Sequence, residues 1–190
     1  MKFLLSLLLT LGFITTLAQD TLVRFDEVNF TSAFEKKVFE DHFLHKRTDL
    51  FKLFMASGSS LKEPAIDEAK NRFYAHLDKS HSEKLSSKKN DKKIKLIYDD
   101  IHKTFLNKYE IKNRFEDIFH NGYYNCVSGT ALYGLAFHHL NIPFTINEKP
   151  THVYLVAYPD QEHVMVETTT PIGGYVTMKP QFKQSFVKML

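Results

Sequence analysis

The sequence predicts an α+β fold, with several N-terminal helices followed by one further helix packed on a small antiparallel sheet. Apolar residues recur three and four apart in a series of stretches between residues 31 and 140, the signature of helices with one buried face. Residues 151–158 and 163–169 instead alternate with period two, as strands do. Pro159-Asp160 stands between those two runs as a turn, so they read as a hairpin.

The elements follow in chain order. Residues 20–29 read as an extended lead-in. Thr31-Ser32 opens a helix, with Ser32 and Glu35 spaced as a capping box. Phe34, Val38, Phe39, Phe43 and Leu44 form its stripe, resumed by Leu50, Phe51 and Phe54. Ser57-Gly58-Ser59-Ser60 ends that region. A second helix spans Glu63 to Asp78, with Pro64 in its first turn and Ile66, Ala69, Phe73 and Leu77 inward. Residues 79–93 are rich in Lys and Ser; Glu83 and Asp91 dilute the charge and no aromatics interleave it, so the stretch reads as a solvated loop. A third helix starts near Asn90 or Asp91, with Ile94, Ile97, Tyr98, Ile101 and Phe105 following the helical period. A fourth helical segment is expected from Ile111 to His120. Gly122 and Asn125 supply turn and cap for a helix from Cys126 to Leu140, which Asn141-Ile142-Pro143 stops. Strands are expected at 144–147, 151–158 and 163–169, with Gly173-Gly174-Tyr175-Val176 leading into another; Pro180 opens a last helix.

The first eighteen residues read as a targeting segment. Lys2 supplies the positive charge, Phe3 to Leu17 is almost wholly apolar, and Thr16 and Ala18 are the small residues before a cut after Ala18. The apolar run is shorter than the roughly 20 residues that span a bilayer, so no stable membrane span is expected after cleavage. The mature chain is expected to be periplasmic or secreted. The organisation is then a signal peptide at 1–18, a helical region at 19–110 and a core at 111–190, together one compact domain. The absence of a polar tail after Met189-Leu190 suggests that a C-terminal portion is missing. Losing Lys2 takes the formal net charge from +3 to +2, too little to argue for nucleic acid. No Gly-rich phosphate loop, paired-cysteine zinc motif or internal repeat is present.

The chemistry gathers between Asn121 and Gly174. Cys126 is the only cysteine of the chain. An exported protein usually has paired cysteines or none, so a lone thiol is either buried and inert or used. Cys126 falls in the first turn of its helix, where the dipole favours the thiolate. His152 opens the first strand of the hairpin and Glu167 closes the second. If Tyr158 pairs with Gln161, His152 faces Glu167 directly; with a loop two residues longer, Glu167 is diagonal to His152. Both registers put the two side chains on one face, where a carboxylate can fix the imidazole tautomer. Nucleophile, base and orienting acid are the parts of nucleophilic acyl transfer.

Asn125-Cys126-Val127-Ser128, Thr151-His152-Val153 and Val166-Glu167-Thr168-Thr169 together resemble the transglutaminase-like superfamily, which shares its core with papain-like cysteine proteases. The resemblance covers residues 115–178. It departs from the pattern at Glu167, where the family usually has Asp before a Pro-Thr pair, and at Val153, where it usually has an aromatic. Pro171-Ile172-Gly173-Gly174 looks more like the bacterial members than the animal crosslinking enzymes.

The resemblance implies a Cys-bearing helix on a sheet carrying His and acid, and a Cys126–His152–Glu167 triad acting on a peptide, protein or cell-envelope amide through a thioester, as hydrolase or transglutaminase. No cofactor is required. The Cys126 N–H and a donor from Tyr124 or Asn125 would hold the oxyanion. The alternative is a non-catalytic binding or assembly module on the same fold. His42, His45, His76, His81 and His102 are expected to face solvent, and His138-His139 to suit a helix end. His163 with His152 lacks a third ligand, so no metal site is expected.

Overall fold

A computed structural model describes residues 23–56, 61–81, 85–170 and 173–177. The expected signal peptide and the helix from Pro180 lie outside the described residues.

After a short 3-10 turn at Phe25–Glu27, helix α1 runs Ala33–Phe43. Ser32 caps it, its Oγ accepting from Glu35 N at 3.0 Å. The expected box is shifted by one residue: the Glu35 carboxylate takes the Thr31 N–H and hydroxyl at 2.6 and 2.7 Å. Helices α2 (Leu50–Ala56), α3 (Glu63–His81) and α4 (Asn90–Phe105) follow. α3 buries Ile66, Ala69, Phe73 and Leu77, and α4 buries Ile94, Ile97, Tyr98, Ile101 and Phe105, as their periodicity requires. Phe51 of α2 packs against Phe73, Phe115 and Phe119, and Phe73 against Phe105.

The segment from 111 to 120 is not one helix. Strand β1 (Lys108–Tyr109) precedes it, and only Asp117–His120 (α5) is helical. β1 pairs in parallel with β2 (Tyr123–Tyr124), matching Lys108 with Tyr123 and Tyr109 with Tyr124. Asn113 explains why a helix does not form there. Its side-chain amide donates to Arg114 O and to Tyr123 O, at 3.0 and 2.6 Å, an alternative to helical backbone bonding. Ile111 is left 74% exposed, outside any buried stripe.

α6 (Cys126–His139) leads into a four-stranded antiparallel sheet ordered β3 (Phe144–Lys149), β4 (His152–Ala157), β5 (Val164–Val166), β6 (Tyr175–Thr177). The fold is therefore a mixed α+β arrangement with a small antiparallel sheet. β4 and β5 pair Leu155 with Val166 and Ala157 with Val164, the register of the longer loop. Tyr158 and His163 bracket that loop in left-handed conformation, at φ 51° and 54°. Leu155, Ala157, Val164 and Val166 face the main core, which also contains Leu132, Tyr133, Ala136 and Phe137 of α6. Tyr154, Val156 and Met165 form a separate cluster. Among the described residues, no helix is long and apolar enough to cross a membrane.

Candidate active site

Cys126 is the first residue of α6 and its thiol is free and partly exposed. Asn125 caps the helix, its Oδ1 accepting from Ser128 N at 2.9 Å, while Ser128 Oγ accepts from Asn125 N at 2.9 Å. The cap is held from outside by the strap 107–113. Asn125 Nδ2 donates to Ile111 O at 3.0 Å, and Ser128 Oγ donates to Asn113 Oδ1 at 3.0 Å. The start of α6 is thus fixed on both sides.

His152 opens β4, and its Nε2 lies 2.5 Å from Glu167 Oε2. Their side chains are only 14% and 6% exposed, so the pair is shielded from water. An ionised carboxylate only accepts, so Nε2 carries the proton and Nδ1 is left with its lone pair. The other oxygen, Oε1, accepts from Thr169 N at 2.9 Å and Thr169 Oγ1 at 2.6 Å. Glu167 stands one residue beyond the end of β5, and its N–H donates to Gly174 O at 2.5 Å.

The start of α6 abuts the chain neighbours of both members of this pair. Thr130 Oγ1 donates to Val153 O at 3.3 Å, next to His152. Gly129 packs on Thr168, next to Glu167; a Cβ on Gly129 would come 3.0 Å from Thr168 Oγ1. That hydroxyl is buried and has no hydrogen-bond partner among the described residues. Tyr109 packs edge-on against Tyr124, ring centroids 5.9 Å apart. Burial first, then its electrostatic interactions with Cys126 and Glu167, push its phenol above the usual value. No hydrogen bond joins Cys126 Sγ to His152 among the described residues.

No protein-family model, curated protein or solved structure matches this chain.

The two candidate oxyanion side chains are committed elsewhere. Tyr124 is 3% exposed and turns inward to His102, Oη to Nε2 being 3.2 Å. Asn125 is occupied by its cap and by Ile111 O. The amide of Cys126, in the first helical turn, lacks an intrahelical acceptor. His163 Nδ1 lies 3.1 Å from Pro159 O. Among the described residues, no group of three or more His, Cys, Asp or Glu is arranged to hold a metal.

His102 corrects the expectation of a solvent-facing side chain: it is 6% exposed. Its Nδ1 lies 3.1 Å from Tyr133 Oη, and Tyr133 Oη donates to Tyr98 O at 2.9 Å. Tyr133 therefore accepts from His102 Nδ1–H, and His102 Nε2 accepts from Tyr124. Its spacing four residues after Tyr98, on the apolar stripe of α4, was the signal available in the sequence.

Proposed function

We propose that this chain is an exported cysteine-dependent acyl-transfer enzyme of transglutaminase-like type, acting on an amide or peptide bond. The observation that carries the reading is the shielded His152–Glu167 pair, because it leaves Nδ1 as the free base on a residue whose neighbour Val153 is bonded to Thr130 of α6. His152 Nδ1 takes the Cys126 proton, and the sulfur attacks the carbonyl carbon. The oxyanion that forms is held by the Cys126 N–H. As the tetrahedral centre collapses, the carbon–nitrogen bond breaks and the leaving amine takes the proton from His152. Water or an amine then displaces the thiol from the thioester, giving hydrolysis or transamidation.

Iodoacetamide labelling of Cys126 at neutral pH tests this. His152→Ala should slow labelling by about ten-fold or more, and Glu167→Gln should slow it less, because the amide still packs but can favour the wrong imidazole orientation. Glu167→Asp should keep part of the rate. Labelling that His152→Ala leaves unchanged removes the triad reading. It would favour the second reading, a non-catalytic binding or assembly module on the same fold.

A further inference from the structure

Helix α4 contributes nothing to the triad, yet its polar side chains reach both halves of the candidate site. At its start, Asn90 Nδ2 donates to Gln161 Oε1 and Glu162 Oε2 in the hairpin loop, at 3.0 and 2.9 Å. At its middle, Tyr98 is 1% exposed and its hydroxyl meets the segment that carries the acid. The hydroxyl lies 2.9 Å from Glu167 O and also in bonding contact with Thr170 O. Below it, His102 reaches Tyr124, two residues before Cys126.

Besides Tyr98, the main chain of the 167–170 turn is held by the Glu167 N–H on Gly174 O. Among the described residues the β4–β5 ladder stops at Leu155–Val166, before Glu167. The Glu167 carboxylate must nevertheless stay within 2.5 Å of His152 Nε2 while Thr169 binds its other oxygen. Gly174 completes the clamp: a Cβ there would collide with the Tyr98 hydroxyl and with Glu167 O. The Tyr98 ring is itself fixed by stacking, 5.4 Å from Tyr133 and 4.9 Å from His102.

We infer that Tyr98 is a positioning residue for the His152–Glu167 pair, its hydroxyl holding the 167–170 turn so that the carboxylate faces the imidazole. This rests on the triad reading for its consequence at Cys126, but not for its consequence at His152. Removing a buried hydroxyl of purely structural value would lower stability and leave the pair unchanged. A positioning hydroxyl changes the pair itself.

The test is Tyr98→Phe, which removes one oxygen and keeps the ring. The downfield proton resonance of His152 Nε2–H, assigned by its loss in His152→Ala, should move upfield in Tyr98→Phe. Iodoacetamide labelling of Cys126 at neutral pH should slow roughly ten-fold. Tyr98→Phe and Glu167→Gln should be non-additive, since both act through one carboxylate. Phe73→Leu, an unrelated core change, supplies the control: it should lower stability and leave resonance and rate at wild-type values. If Tyr98→Phe does not fold alone, it is compared in a Thr168→Val background, which removes the buried unpartnered hydroxyl and offsets lost stability. A wild-type resonance in folded Tyr98→Phe overturns the inference. A moved resonance with wild-type labelling insensitive to His152→Ala upholds Tyr98 and overturns the triad instead.

Discussion

His102 makes the protein acid-sensitive from the inside. Burial pushes its imidazole down to about 4 from the ordinary 6.5, so the folded chain holds it neutral between Tyr124 and Tyr133. Protonation favours the unfolded chain. The stability that depends on neutral His102 is whole above pH 6.5, falls away as pH drops, and is gone below about 4. The shift corresponds to about 3 kcal/mol at most. Urea midpoints measured across that window should fall more steeply for the wild type than for His102→Gln. Equal slopes would show that His102 does not carry the acid sensitivity. Surface carboxylates titrate in both proteins and cancel in the comparison. The sequence carried only the spacing from Tyr98 as a signal, and a histidine four residues after a tyrosine differs little from one facing water. Only the tertiary neighbours, Tyr124 and Tyr133, decide it.

At the scale of elements, the first turn of α6 is held by a reciprocal cap in which Asn125 has the larger share. Asn125 satisfies the Ser128 N–H and also ties the helix to the strap through Ile111 O. Asn125→Ala should cost about 1 kcal/mol. It should also speed hydrogen exchange at the Ser128 amide more than at Leu135, deep in the same helix. Uniform exchange along α6 would mean that the cap is not what holds its start. This cap was legible, because Asn before a 3.6-period run is a local signal. The hairpin was legible too: alternation put His152 and Glu167 on one face in either register, and the longer-loop register is the one found. The strap was not legible. Two-residue strands pairing in parallel across fourteen residues leave no period to read, and Phe115, Ile118 and Phe119 imitate a helix stripe. The orientation of Tyr124 was hidden for the same reason, since nothing local says which of Tyr123 and Tyr124 points inward.

For the whole molecule, the helical half and the sheet share one core. Phe51, Phe73 and Phe105 belong to the same buried cluster as Leu132, Leu155 and Val166. α6 and the sheet therefore cannot shed the preceding helices without exposing the side that they cover. Phe73→Ala should cost about 3–5 kcal/mol. It should lower the denaturant midpoint equally when read by far-UV circular dichroism and by iodoacetamide access to Cys126. A labelling midpoint that stays put while the helices melt earlier would separate the two halves.

The shared core has a consequence for faulty copies of the chain. Val164 and Val166 alternate with Met165 on one short strand, and Glu167 follows directly. A slip of that strand by one residue would turn Glu167 away from His152. The same slip would move two valines from the main core to the smaller cluster of Tyr154 and Val156 and swing methionine into their place, so both faces of the strand would be mispacked. Errors in assembling the chemistry are thereby also errors in packing. The hydrophobic interior acts as a proofreader, so that misregistered hairpins are rejected as misfolded protein and do not persist as folded, silent molecules.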